Sequence, residues 1–165
     1  MTEITNMIGC IKGILVHDLV GSQMFAKIDD KSIQTKQYKE RLFSKSRSHR
    51  TKDDLFRLDQ TLVLHKFTKE LHFYVIGHTN ESPILLDSVL ECVVDVVTSL
   101  LKSTEKQSFL KKRAKILGAI NEICDNGMIL EADSELVLEM MSSKDDLSEQ
   151  TMTQTMTNFK FPWIR

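Results

Sequence analysis

Residues 123–135, ICDNGMILEADSE, set four carboxylates around one glycine. That composition suggests a calcium loop. An EF-hand loop, D-x-[DN]-x-[DN]-G-x₅-E, needs oxygen ligands at its first, third, fifth and twelfth places. Aligned on Gly127, those places fall on Glu122, Cys124, Asn126 and Asp133. A thiol is soft where calcium wants oxygen, and Asp133 is a carbon short of the bidentate glutamate. The sequence therefore reads better as a joint between helices, with Asp125, Gly127, Ile129, Leu130 and Asp133 as its motif. Gly127 is expected as the left-handed cap of one helix and Asp133 as the N-cap of the next.

Other groupings can be weighed in the same way. His65 and His72 face each other across a hairpin if Thr68 and Lys69 form its loop. Two imidazoles hold a metal only with further ligands, and no carboxylate or cysteine is placed to supply them, so they read as half-buried sheet histidines. Asp87, Glu91 and Asp95 repeat every four residues on one helix face, a pattern of a solvated or partner-facing acidic edge. KKRAK (Lys111, Lys112, Arg113 and Lys115) reads as a solvated helix face before an anion site. The chain has no G-x-S-x-G, P-loop or dinucleotide glycine fingerprint. No catalytic residue, cofactor or metal ligand is assigned, and the chain is not expected to be an enzyme.

The elements that would carry these residues alternate in type. MIGCIKGILVHDLVGSQMFAKIDD reads as a hairpin turning near residues 18–22. IQTKQYKERLFSK, residues 33–45, has Ile33, Tyr38, Leu42 and Phe43 at helical spacing, and a polar loop, SRSHRTKDD, follows. LFRLDQTLVLHKFTKELHFYVIGHTN gives three short strands. In the last hairpin Val63, His65, Phe67, His72, Tyr74 and Ile76 share one face, and Leu62, Leu64, Lys66, Leu71, Phe73 and Val75 the other. Both faces are largely apolar, so the sheet must be covered on both sides. Ser82 and Pro83 open a helix with a core stripe of Leu86, Val89, Leu90, Val93, Val97 and Leu100. Residues 107–125 form another, with Leu110, Ala114, Leu117, Ile120, Ile123 and Cys124 as its apolar positions. A last helix carries Leu136, Val137, Met140 and Met141. The fold class is α/β (α+β): five antiparallel strands between one early helix and two or three late ones. Residues 1–142 make the domain. Residues 143–165 read as a flexible polar tail whose aromatic end, Phe159, Phe161 and Trp163, is its sticky part.

Composition bounds the function. The chain has 165 residues, 41% of them hydrophobic, enough for one globular core. A formal net charge of −1 argues against a general nucleic-acid binder. Cys10, Cys92 and Cys124 sit in apolar settings without paired spacing, as expected in a reducing cytosol. No apolar run approaches a membrane span, Lys12 interrupts the N-terminal one, and MTEITN reads as neither a signal peptide nor a myristoylation site. Any membrane role is expected to run through a partner.

Taken in chain order, several pieces are similar to one family. KGILVHD and GSQMFAK resemble its opening hairpin, YKERLFSK its first helix, and SHRTKDD the loop after it. LHFYVIG resembles the central strand, and VLECVVD and INEICDNGMILEAD the late helices and their joint. The family is the zeta chains of coatomer, a branch of the adaptor small chains that also include the clathrin-adaptor sigma chains. The resemblance covers about residues 8–141. Sigma chains usually carry Arg and a Trp-Tyr pair where this chain has MFAKID. Ile28, Asp29 and Ala132 depart from the zeta pattern and suggest a divergent member.

The resemblance implies a longin-like, profilin-like fold and a non-catalytic role in the COPI coat. It implies direct pairing with the coatomer gamma large subunit, contact with other coatomer subunits, and recruitment by an Arf-family GTPase through the complex. The place would be the cytoplasm and, peripherally, Golgi membranes and COPI vesicles, in retrograde Golgi-to-ER and intra-Golgi transport. A sigma-type chain and a longin module of a tethering or SNARE system are the alternatives. Phe43 and Tyr74 are the candidate partner contacts, on the expectation that one short helix leaves part of the sheet exposed.

Overall fold

A computed structural model describes residues 11–48, 53–102 and 105–158. Cys10, residues 49–52 of the polar loop after the first helix, and Phe159, Phe161 and Trp163 lie outside the described residues.

The main sheet is antiparallel, in the order β2-β1-β5-β4-β3. β1 (Ile11–Asp18) and β2 (Gln23–Ile28) form the expected hairpin, and β3 (Asp53–Leu58), β4 (Thr61–Phe67) and β5 (Leu71–His78) form a meander. β5 lies beside β1, so the first and last strands make the centre of the sheet. Every residue of β5 from Leu71 to Gly77 is buried. This matches the double-apolar pattern, because a central strand covered on both faces has no solvent side to keep polar.

α1 (Lys36–Ser48) covers one face. Leu15, Tyr38, Leu42, Val63, Tyr74 and Ile76 pack together there. The helix starts three residues later than its apolar spacing suggests. Asp30 caps a 3-10 turn at Lys31–Ile33, and the Thr35 hydroxyl then accepts from the Tyr38 N–H at 3.2 Å. Ile33 is therefore a core residue of the turn, not of the helix.

The other face carries α2 (Pro83–Leu101), with α3 (Lys106–Lys111), α4 (Arg113–Ile123) and α5 (Ser134–Asn158) grouped around it. Ser82 caps α2 and Pro83 opens it, as expected. α2 buries more than the predicted stripe: Cys92, Val94, Val96 and Leu101 are buried as well, while Leu100 is only partly so. Each such full burial contributes about 1.5–3 kcal/mol.

Three expectations need correction. The helix over 107–125 is two helices, broken at Lys112, whose backbone leaves helical values and whose Nζ donates to the Leu100 carbonyl at 2.6 Å. The buried residues are Phe109, Ile116, Ala119, Ile120 and Ile123, while Leu110 and Leu117 are exposed. Burying the larger Phe109 turns the inward face by one position from the Leu110 stripe.

Gly127 does have a left-handed backbone (φ 78), but it caps no helix. α4 ends at Ile123 with an extended Cys124. Asn126 (φ 47) and Gly127 are the two central residues of a tight hairpin between β6 (Cys124–Asp125) and β7 (Met128–Ile129). Two successive positive φ values are the mark of the primed turn that Asn-Gly favours.

The third concerns residues 143–165. α5 continues from Ser134 to Asn158, so most of this stretch is helical rather than irregular. Lys115 reaches Asp145 at 2.6 Å and Lys144 reaches Glu122, so α4 anchors the helix beyond residue 142. Residues 143–147 are exposed, and such a helix lacks a strong apolar period for the same reason a tail does.

The joint yields a prediction. Asp133 accepts from the Glu135 N–H at 2.9 Å, the cap expected of it. Asp133→Ala should cost about 1 kcal/mol in chemical denaturation. Gly127→Ala should cost a similar amount or more, since alanine resists φ 78. Asn126→Gly should be near neutral. Equal tolerance of alanine at 127 and at a surface helix position would contradict the hairpin.

Candidate partner-binding surfaces

The joint is fastened to the sheet by one lysine. Lys27 Nζ, on β2, donates to the Asn121 side chain at 2.8 Å and the Cys124 carbonyl at 2.5 Å, and lies 3.6 Å from Asp125. The Ile11 N–H donates to the Gly127 carbonyl at 2.7 Å, tying the turn to the start of β1. The Leu130 N–H closes back on Ile123, and Glu131 accepts from the Ala132 and Asp133 N–H groups. Three carboxylates of the opening motif are thus engaged, Asp125 by Lys27 and Glu131 and Asp133 by backbone amides. Ile129 packs on the core, while Met128 and Leu130 are exposed.

The candidate contacts Phe43 and Tyr74 fall on the α1 side. Tyr74 is fully buried. Its hydroxyl sits 2.8 Å from the Ser46 hydroxyl, which donates onward to the Phe43 carbonyl, so Tyr74 is the donor in that pair. Tyr38 is held likewise to Thr61, which donates to the Leu58 carbonyl. Two buried tyrosines bolt α1 to the sheet. Tyr74 offers a partner no surface. Phe43 is half-buried and fills the space over Gly21, where a Cβ would approach its ring to 2.6 Å. The expected exposed sheet face is absent among the described residues. α1 and the turn before it close that face.

Beneath Phe43 lies a histidine group only partly visible in the sequence. The β4–β5 register is offset by two residues from the expected one, because Lys69 and Glu70, not Thr68 and Lys69, fill the loop. A shift of two preserves the faces. His65 therefore pairs with Tyr74 and meets His72 on the diagonal, Nε2 to Nδ1 at 2.9 Å, with its own Nδ1 3.4 Å from Asp54. His17 on β1 is the register partner of His72 and joins them. It is 1% exposed, and neither ring nitrogen has a partner among the described residues. Burial, with help from Lys39, lowers its pKa to about 4 against a weak opposing pull from Asp18. Burial and the neighbouring His65, His17 and Arg47 lower His72 to about 4. Both are neutral at pH 7. The signal for His17 was its inward alternation with Leu15 along β1.

Cys92 and Cys124 are buried, which pushes their thiols up to about 12 and about 11 and keeps them protonated. Of the acidic ladder, Glu91 pairs with Lys66 at 2.5 Å, while Asp87 and Asp95 are exposed. Of KKRAK, Lys112 and Lys115 make structural contacts, and Lys111 and Arg113 are exposed.

Outward-facing apolar side chains are the remaining chemistry. Leu19 and Val20 protrude from the β1–β2 turn, 52% and 76% exposed, beside a notch of about 260 Å³. Asp18 and Lys106 bridge its floor at 2.5 Å. Ile84 opens α2 at 83% exposed, and Leu55 projects from edge strand β3. These side chains stand on the β1–β2 turn, the first turn of α2 and an edge strand, accessible to another protein.

This is the architecture of an adaptor-type small chain, an antiparallel sheet covered by helices on both faces. The family model for the clathrin adaptor complex small chain matches residues 10–148, and the chain belongs to that family. Within it, the chain is 32% identical over 158 residues to coatomer subunit zeta-1 of Homo sapiens, covering 91% of this chain and 88% of the relative. Coatomer subunit zeta-3 of Arabidopsis thaliana is also 32% identical over 158 residues, covering 88% and 87%. The fold is shared with a chain of a solved assembly described as a homology model of the full-length AP-3 complex in a stretched open conformation, with a TM-score of 0.63, 14% identity, and 87% and 98% coverage.

The histidines predict a pH dependence. Unfolded histidine takes a proton near pH 6.5, whereas folded His17 and His72 resist it down to about pH 4. The unfolded state therefore binds more protons between those values. The contribution of both residues is complete above pH 6.5 and lost as pH falls toward 4. His17→Leu should flatten this acid limb in urea melts at pH 5 and 7 while leaving stability at pH 7 little changed, since no hydrogen bond of His17 is given up. An unchanged limb would remove His17 from this role.

Proposed function

We propose that the chain is a non-catalytic subunit of the COPI vesicle coat, pairing directly with the coatomer gamma large subunit. Similarity to coatomer zeta chains over nine-tenths of the sequence carries this reading. In it, other coatomer subunits are reached through the large chain. An Arf-family GTPase recruits the assembly to Golgi membranes for retrograde Golgi-to-ER and intra-Golgi transport. No helix among the described residues is long and apolar enough to cross a membrane, which is consistent with attachment through the complex. The longin-like body then acts as a rigid wedge. Its core is closed on both faces, and Leu19, Val20, Leu55 and Ile84 are among the exposed apolar residues that could meet a large helical partner.

Co-expression with a gamma-type trunk should give a stable one-to-one complex in size-exclusion chromatography. Val20→Asp and Ile84→Asp should leave the thermal melt of the isolated chain unchanged, because both positions are largely exposed. At least one should weaken the complex by about 2 kcal/mol, as central apolar contacts do. No affinity for the gamma trunk, with binding to a clathrin-adaptor large chain instead, would favour the sigma-type reading. No affinity for either would return a tethering module to first place.

A further inference from the structure

The two edges of the main sheet, β2 and β3, are finished differently. At β3 the Arg57 carbonyl accepts from Lys45 Nζ, which also stands 5.6 Å from the centre of the Phe56 ring. A lysine drawn over an edge strand keeps other strands off it. β2 has no such guard. Its Asp29 N–H donates to the Lys12 carbonyl at 2.9 Å, and Ile14 pairs with Lys27 and Val16 with Phe25. Alternate residues bond across an antiparallel ladder, so Ala26 and Ile28 turn their N–H and C=O groups away from β1. Among the described residues nothing bonds to those groups. Lys27, the one charged residue of β2, is drawn to the joint instead.

A shelf runs beside this open edge. Lys106, at the start of α3, meets Asp18 at one end of the β1–β2 hairpin, and Asn121 of α4 meets Lys27 at the other. α3 and α4 therefore run alongside β2. Arg113, Leu117 and Asn121 repeat every four residues on α4 and are all exposed, Leu117 by 44%. Arg113 makes no ion pair among the described residues.

We propose that an extended segment of another polypeptide adds to β2 as a sixth strand, antiparallel to it, with its backbone on Ala26 and Ile28 and one face on the Arg113–Leu117–Asn121 stripe. Three observations choose that occupant. Outward N–H and C=O groups at alternate residues are met in full by another strand. The spacings agree, because residues four apart on a helix are separated by about 6 Å and alternate residues of a strand by about 6.6 Å. The stripe reads cation, apolar, amide, so the face that meets it reads acidic, apolar, polar, while small apolar residues suit the other face, beside Ala26 and Ile28. A second copy of this chain fits poorly. The register that joins Ala26 and Ile28 of one copy to Ile28 and Ala26 of another sets Lys27 directly against Lys27, and like charges so placed repel.

The probe is a fluorescein-labelled, terminally blocked peptide carrying threonine, leucine and glutamate, in that order, at alternate positions with valines between them. In the free protein, amide hydrogen exchange should be fast at Ala26 and Ile28 and slow at Phe25 and Lys27. The peptide should slow exchange at Ala26 and Ile28, and its fluorescence polarisation should rise saturably with protein. Ala26→Pro removes an N–H that the sheet does not use, so circular dichroism should be unchanged while binding is lost. Arg113→Glu alters an exposed position and should weaken binding about fivefold, and a peptide with lysine in place of glutamate should recover it. Binding that leaves Ala26 and Ile28 unprotected, or that survives both substitutions, lies elsewhere and would overturn the proposal. So would the absence of saturable binding at millimolar concentration, or slow exchange at Ala26 and Ile28 in the free protein. Slow exchange that speeds up on dilution would show that a second copy holds the edge, which also overturns it. The peptide is no coat subunit, so each of these results leaves the coat reading as it stands.

Discussion

The central pair of strands, β1 and β5, has no polar face, and the rest of the chain is arranged to satisfy that. Leu15, Tyr74 and Ile76 point one way, and Ile14, Val16, Phe73 and Val75 the other, all of them buried. A sheet of this kind is stable only when covered twice. The chain meets the requirement by inserting α1 between β2 and β3, so that the connection crossing one face also covers it. The four later helices cover the other face, with α2 in direct contact and the rest around it. The unequal cover explains the unequal chemistry. The α2 side is almost wholly apolar. The α1 side, closed by a single helix, uses hydroxyl pairs from Tyr38 and Tyr74 to fix that helix in place.

The histidine group belongs to the same asymmetry. Between Phe43 and the ends of β1, β4 and β5, the sheet carries His17, His65 and His72 rather than aliphatic residues. Stacked imidazoles next to Tyr74 fill the space as flat, aromatic side chains, with His65 and His72 sharing a hydrogen bond. His17 gains no such bond, and its burial costs solvation that only packing offsets. Burial keeps His17 and His72 neutral at pH 7, so these two rings pack against α1 without charge.

Alternation and helical spacing made the fold class legible in the sequence, along with the hairpin, the meander, the Ser82 and Asp133 caps and the two faces of β5. Each of these depends on residues near one another in the chain. What was not legible depended on choices between similar local options. The β4–β5 loop could take residues 68 and 69 or residues 69 and 70, and both keep the faces, so pattern alone could not choose the register. The α3–α4 segment offered two overlapping stripes, and the larger volume of Phe109 decided between them. Asn126-Gly127 suits a helix cap or a tight turn, and the second depends on β6 and β7 finding each other. Lys27, which ties β2 to the joint, gives no local signal at all. Tyr74 reads as a contact on the expectation that one short helix leaves its apolar face partly exposed. Aromatic bulk marks core and interface alike, and only the position of α1 tells them apart.

The same reasoning bears on how such a chain can bind anything. Its core is closed and its polar groups are largely engaged within the fold, so specificity must come from what projects beyond the packed layers. Those projections sit on short, well-anchored supports. Val20 stands on a turn fixed by Asp18, which accepts from the Val20 and Ser22 N–H groups and is bridged by Lys106. Burial would raise the Asp18 carboxyl, but Lys106 and these amides outweigh it and hold it below its ordinary value, so the anchor stays charged. Ile84 stands on the first turn of α2, fixed by its serine cap. Contacts held this way lose little freedom on association, which is where much of the free energy of binding is otherwise spent. In the proposed coat reading, a rigid body with a few anchored apolar projections would suit a lasting place beside a larger chain, and the twice-covered sheet is what keeps those projections in place.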